Sequence, residues 1–372
     1  MKKSKLLALL LALAMVLSLA ACGSKDSGSS DDSSSDDSSS APASSDANQQ
    51  DESTAPENDG KTYNLRMSCE ASEGQWLAVM LQDYADAVKE ATNGQVNIEL
   101  YLGNSLGSSD DIWSMFTQGA IDMVHMGVAH AGNFPVTDFV QTPFAVDSPE
   151  MAASVMAALA DAGYLAEFTD NMHVVAYMPT LMQEFMFKDR EVKSFSDLSG
   201  LVIRGSSAPL VSCIEAVGST ATSIPITDLY MSLSQGVADA TITSVDAAEV
   251  FKLQDVCKYL LDMPISTGMN FVAINNTLWN SLPADIQEAM DTVGAEYQEK
   301  YLELNRQAGD DCVKTMTDGG MTVLEPSDEL VAACKDATSG MIDDLIEKLN
   351  GEGLDGAAIV ACAQDAVANY AG

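Results

Sequence analysis

The sequence predicts an α/β protein whose folded part is built as two halves, and three observations predict it. Short apolar strands alternate with longer amphipathic helices from Tyr63 onward, which implies mostly parallel sheets. The alternation restarts after Leu181, so a second sheet fits the second half. A helical pattern from Pro283 to Gln307 follows the last strand and is long enough to run along both halves.

In order, Tyr63 to Met67 reads as a strand. Gln75 to Asn93 is an amphipathic helix with Trp76, Leu77, Met80, Leu81, Tyr84 and Val88 at helical spacing, stopped by Gly94. Val96 to Leu102 alternates as a strand, Asp110 to Gln118 is helical, and Ile121 to Met126 is a buried strand. Glu150 to Phe168 is an Ala- and Met-rich helix, followed by the strand His173 to Met178. The second half offers Phe185 to Lys188, the strand Leu201 to Arg204, the helix Ala208 to Val217, a helix from Asp228 and the strand Ala240 to Thr243. Phe271 to Ile274 is one more strand before the long helix. Beyond Asp310 the chain alternates short helices and turns.

The N-terminus carries its own information. Met1-Lys2-Lys3-Ser4-Lys5 precedes an apolar run from Leu6 to Ala21, a secretory pattern too short for a membrane span, which needs about 20 apolar residues. Small residues then lead into Cys22, which predicts cleavage of residues 1–21 and acylation of the Cys22 thiol. Residues 22–62 are Ser- and Asp-rich, without the apolar surface needed to offset chain entropy, so they read as a disordered tether. The expected product is an extracytoplasmic protein held to the cell membrane by lipid. About 310 residues remain, enough for two lobes with proper cores.

The formal charge of −37, with 18 scattered Lys and Arg, argues against binding nucleic acid or an anionic membrane surface. An anionic small molecule is not excluded, because one desolvated arginine outweighs a distant, salt-screened field. The six cysteines after Cys22 are widely spread in apolar contexts and read as small buried hydrophobes, without metal-ligand spacing.

In open α/β sheets, ligands bind beyond the carboxyl ends of the strands. That rule selects Ser68 to Glu70, Gly127 to His130, Arg204 and Thr243 to Ser244. Arg204 is the only base at any of these ends, and a guanidinium there can clamp a carboxylate in bidentate fashion. Trp76, beside the Ser68 to Ser72 loop, and Asn270, directly before Phe271, join the candidates. Gly103-Asn104-Ser105-Leu106-Gly107 matches a nucleophile elbow, which makes a serine hydrolase the remote alternative. Its histidine would be His125, His130 or His173, all close in sequence; otherwise Ser108, Ser109 and Asp110 form an ordinary helix cap. No phosphate loop, dinucleotide fingerprint or zincin helix is present, so no cofactor and no metal are expected.

The ordered motifs resemble the DctP-type substrate-binding proteins of tripartite ATP-independent periplasmic (TRAP) transporters. They include Ala91-Thr92-Asn93-Gly94-Gln95-Val96, Gly119-Ala120-Ile121-Asp122-Met123, Thr142-Pro143-Phe144 and Phe195-Ser196-Asp197-Leu198-Ser199-Gly200-Leu201-Val202-Ile203-Arg204. Ile224-Pro225-Ile226, Gly236-Val237-Ala238-Asp239 and Asn275 to Pro283 continue the series. The resemblance implies a two-lobed periplasmic-binding-protein fold of type II-like form, with a long helix spanning both lobes. It implies lobe I at 63–180, lobe II at 181–268, a return through 269–309, and C-terminal helices on lobe II at 310–372. It also implies that Arg204 holds a substrate carboxylate, and that the loaded receptor docks on a small and a large membrane subunit for ion-driven uptake.

Many relatives of this kind carry a second arginine, where this chain is expected to place Gln183; a ligand-touching amide becomes Thr243, a pocket glutamate Gly127 and a stacking phenylalanine Ile226. The resemblance therefore points to a monocarboxylate such as a keto, hydroxy or aromatic acid, with Gln183 and Thr243 supplying neutral hydrogen bonds. A receptor for an ATP-driven transporter or a signalling protein is the alternative. A monomer and no enzymatic activity are expected.

Overall fold

The computed structural model describes residues 60–128, 134–166 and 171–371. The signal segment, Cys22 and His130 lie outside the described residues. The first half contains β1 (Tyr63–Cys69), α1 (Trp76–Ala91), β2 (Val96–Tyr101), α2 (Ser109–Thr117), β3 (Met123–Gly127), α3 (Asp138–Gln141) and α4 (Pro149–Asp161). There follow β4 (Met172–Phe187), β5 (Val202–Arg204), α5 (Ala208–Ala216), β6 (Thr220–Thr222), α6 (Ile226–Gln235), β7 (Ala240–Ser244) and α7 (Val245–Val250). The chain closes with β8 (Tyr259–Asn275), α8 (Asn276–Trp279), α9 (Ala284–Asp318), β9 (Thr322–Leu324), α10 (Asp328–Ala337), α11 (Met341–Gly351) and α12 (Gly356–Asn369).

Where the sequence suggested one mostly parallel sheet per half, the described residues form one nine-stranded sheet, β2-β1-β3-β8-β4-β7-β5-β6, with β9 paired to β8. Parallel pairing is confined to β2-β1-β3, β7-β5-β6 and β8-β9; β3-β8, β8-β4 and β4-β7 are antiparallel. The halves share a sheet because β4, with 16 residues, and β8, with 17, run through both. The sequence signal broke at Pro179-Thr180 and at Gly268, residues that ordinarily end a strand. Here register shifts between Val174 and Ala176, Pro179 and Met182, and Gln183 and Phe185 absorb the irregularity, and pairing resumes beyond it.

The core divides by lobe and by sheet face. On one face, α1 packs with β1 and β3 in the first lobe, and α6 and α7 with β4 in the second. The 35-residue α9 serves both clusters, placing Met290, Val293 and Tyr301 in the first and Cys312 and Met316 in the second. On the other face, α2 and α4 cover the first lobe and α5 the second. The expected Pro283 to Gln307 helix thus continues eleven residues further, through a stretch too polar to show apolar periodicity.

Residues 310–372 do not all sit on the second lobe as expected. Leu330 and Cys334 of α10 join its core, but Leu345 and Leu349 of α11 and Ile359, Val360 and Ala363 of α12 complete the first lobe's core. Small side chains allow this return: α12 lies along the alanine-rich α4, with Cys362 Sγ 3.8 Å from the carbonyl of Ala158. A second cross-lobe contact comes from Phe144, whose neighbours Ala145 and Val146 pack in the first lobe while its ring joins the second lobe's core. Its N–H donates to the Ile265 carbonyl at 2.7 Å, and it adopts φ 60°, a left-handed conformation unusual for a bulky residue.

Helix α9 lies tight against β4. A Cβ on Gly294 would stand 2.4 Å from the carbonyl oxygen of Val175, and one on Gly309 3.0 Å from a Leu181 methyl. Gly294→Ala should therefore force helix and strand apart and cost roughly 2 kcal/mol or more, by the measure of other overpacked sites. Gly351→Ala, at a helical position with open space around it, should be neutral or stabilising. Urea unfolding of both variants tests this, and equal midpoints would refute the close packing.

Candidate ligand-binding site

The carboxyl ends of the parallel strands of both lobes converge on the stretch where β4 and β8 cross between lobes. In the first lobe, Gly127 at the end of β3 pairs with Asn270 of β8, which pairs with Met178 of β4. In the second, Ser244 at the end of β7 pairs with Gln183 of β4, which pairs with Ser266 of β8. Asn270 and Ser266 are only four residues apart, as strand connectivity requires. α9 marks the same place: Tyr301 Oη and Asn305 Nδ2 both donate to the Pro179 carbonyl, at 2.9 and 3.2 Å. Trp76 opens α1 with its ring 5.6 Å from that of Tyr301.

Arg204 ends β5 and is 6% exposed. Its Nε donates to the Ile224 carbonyl at 2.9 Å, and among the described residues it has no carboxylate partner. Burial lowers its pKa, with no neighbouring acid opposing the shift. A guanidinium stays charged under such pressure, so the arrangement leaves a desolvated cation with unused donors. Thr241 and Thr222 flank it in register, and Thr241 Oγ1 donates to the Arg204 carbonyl at 3.4 Å.

Strand parity decides which candidates share its face, because directly paired residues point the same way. Ile203 pairs with Ala240, and both enter the core opposite α9. Arg204, Thr241 and Thr243 therefore face the α9 side. Thr243 pairs with Glu184, not with Gln183. Gln183 lies on the opposite face with Phe185, where its Oε1 accepts from Ser266 Oγ at 3.1 Å. The expectation that Gln183 and Thr243 jointly offer hydrogen bonds beside Arg204 is thus replaced: the β4 neighbour on Arg204's face is Glu184.

The remaining candidates divide in the same way. Asn270 and Gly127 share the α9 face with Met178, and Trp76 packs on that side. Ile226 is the first residue of α6 and packs beside Leu229 in the same-side cluster of the second lobe. Ser68 pairs with Val124 on the other face; it is 1% exposed and its Oγ has no partner. Glu70 accepts from Ser109 Oγ of α2 at 3.1 Å. A separate groove of about 120 Å³, lined by Asp138, Pro209, Asp344 and Lys348 among others, opens between α3, α5 and α11 and does not include Arg204. Its lysine is already paired, Lys348 Nζ lying 2.6 Å from Asp138.

The elbow motif does not assemble a triad among the described residues. Ser105 is an exposed turn residue, and Ser108 caps α2 through a hydrogen bond from the Asp111 N–H at 3.2 Å, while the Ser108 N–H donates in return to Asp111 Oδ2 at 3.3 Å. His173 stacks on Trp279 at 3.8 Å and meets Asp291 at 2.6 Å. His125 is buried with Nδ1 3.9 Å from Cys69 Sγ and Nε2 unpartnered. No group of His, Cys, Asp or Glu among the described residues is placed to hold a metal, and all six described cysteines are unpaired. No described helix is long and apolar enough to cross a membrane.

Half-sheets joined by two continuous strands and backed by one long helix form the architecture of a two-lobed solute-binding protein. The chain belongs to the DctP family, bacterial extracellular solute-binding protein family 7, whose sequence profile matches residues 67–349. It is 23% identical over 298 residues to the 2,3-diketo-L-gulonate-binding periplasmic protein YiaO of Escherichia coli K12, covering 78% of this chain and 89% of that protein. A marine metagenome TRAP solute-binding protein specific for aromatic acids, solved with 3-hydroxybenzoate, superposes with a TM-score of 0.76 at 22% identity, over 84% of this chain and 100% of that one. DctP7 of Bordetella pertussis, an extracytoplasmic solute receptor binding pyroglutamic acid, gives 0.71 at 22% identity, over 82% and 100%. These relatives are binding proteins of transporters rather than enzymes.

Burial holds the His125 pKa down at about 4 and pushes the Cys69 thiol up to about 12, so both are neutral near pH 7. Above the unfolded value of about 6.5 His125 is neutral in both states. As pH falls from there toward 4 the unfolded chain binds a proton that the folded chain refuses, and stability drops by up to roughly 3 kcal/mol. Urea midpoints between pH 7 and 4 should show this loss, reduced in His125→Leu; an unchanged acid slope in that variant would assign the loss elsewhere.

Proposed function

We propose that this chain is the extracytoplasmic receptor of a TRAP transporter and that it captures a small monocarboxylate, with Arg204 as the carboxylate anchor. The observation that carries the reading is a buried guanidinium at the end of β5 with no acidic partner among the described residues. A cation so placed is costly to bury unless a ligand supplies the anion. Thr243 adds a neutral hydroxyl on the same face, and Trp76, Gly127, Asn270 and Ile226 supply the remaining α9-side surface. Relatives that bind diketogulonate, 3-hydroxybenzoate and pyroglutamate support a small organic acid as cargo. Binding favours closure of the lobes to the extent that ligand prefers the closed state.

Acylation at Cys22 would hold the receptor, as a monomer, on the outer side of the cell membrane, and small and large membrane subunits would accept the loaded form. Isothermal titration against a panel of organic acids tests the anchor. Arg204→Ala should lower affinity by one to several orders of magnitude, since truncating one partner of a buried charge pair costs about 2–5 kcal/mol. Equal binding by wild type and variant would remove Arg204 from the site.

A further inference from the structure

Glu184 is the acid that the sequence did not single out. It lies on β4 directly opposite Thr243, on the face that carries Arg204, two strands away from it. Strand spacing puts the two Cα atoms about 12 Å apart. The carboxyl is partly buried, and among the described residues it takes part in no hydrogen bond or ion pair. Asp262 is an exposed acid of β8 within the register shift opposite Glu184, close enough for its charge to act on the Glu184 carboxyl.

We infer that the ligand carries a cationic nitrogen as well as its carboxylate, and that Glu184, with Asp262 beside it, receives the nitrogen while Arg204 receives the carboxylate. The inference rests on the reading of Arg204 as the anchor and deepens it by naming the second group of the cargo. Burial first, and then the negative charge of Asp262, push the Glu184 carboxyl up to about 8, so it is mostly protonated near pH 7 unless a cation stands beside it. A cation between the two acids relieves both effects, whereas a second carboxylate, or a neutral ring pressed against the acid, would aggravate one of them. A cation without a carboxylate partner and an acid without a cationic one, on one face of one sheet, thus form the two ends of a receptor for a zwitterion.

Matched acids that differ only by the amine test this, with titration calorimetry on the full-length receptor: L-phenylalanine against 3-phenylpropionate, 4-aminobutyrate against butyrate, and 5-aminovalerate against valerate. The expected result is at least tenfold tighter binding of one or more ammonium acids than of their plain partners. Glu184→Gln, nearly isosteric, should bring that ratio close to one, and Arg204→Ala should weaken both members of the pair. Equal or reversed preference in the wild type, no binding of any ammonium acid, or a preference that survives Glu184→Gln would overturn the inference. If plain acids bind and Arg204→Ala abolishes their binding, the anchor stands although the zwitterion falls. If Arg204→Ala binds as the wild type does, the anchor itself falls.

Discussion

Strands β4 and β8 belong to both lobes at once, and the rest of the architecture depends on how that pair passes from one to the other. At the crossing, Pro179 has no N–H to give the ladder and the register shifts on either side of it. Tyr301 and Asn305 supply its carbonyl with two donors from α9, which fixes the long helix over the crossing. Upstream, Gln298 Oε1 accepts from the Tyr177 N–H at 2.7 Å, and the glycines at 294 and 309 let the helix touch β4 in each lobe. Residues near the crossing on β4 and β8, Glu184 and Asn270 among them, are therefore placed by the same interaction that joins the lobes.

Phe144 shows how the opposite face is held. A bulky residue at φ 60° costs on the order of 1–2 kcal/mol, and it persists only where the surroundings dictate it. Here the chain leaves the first lobe's core, places one aromatic ring in the second lobe's core, and returns within two residues. The ring's burial and the bond to Ile265 offset the strain. With α9 on one face and Phe144, α11 and α12 on the other, the region around the crossing is clasped from both sides of the sheet.

Much of this was legible because short strands and amphipathic helices announce themselves locally. The Gly94 stop, the Ser108 cap and the Leu201-Val202-Ile203-Arg204 strand end all appear where pattern and chemistry put them. What local pattern could not carry was continuity through Pro179 and Gly268, since residues that break most strands are here accommodated by register shifts and a helix-borne donor pair. The second half of α9 was illegible for a related reason. Its polar sequence packs through Gly309, Cys312 and Met316, a contact face too narrow to read as amphipathic. Parity was the costlier loss. Phe185 and Phe187 visibly share a face, which sets Glu184 against Gln183, but which face carries Arg204 depends on β5–β7–β4 pairing between residues far apart in sequence.

A shift of one residue along β4 changes which group shares a face with Arg204. With Gln183 beside Arg204, the pocket would be a cation tempered by neutral amides, tolerant of any acid of suitable size. With Glu184 there, a buried guanidinium and a partly buried carboxyl share one face of the sheet. The overall charge of −37 does not produce this, because distant surface acids are screened over about 10 Å at ordinary salt, while groups on one half-buried face are not. Specificity in such a site comes from repulsion as much as from attraction.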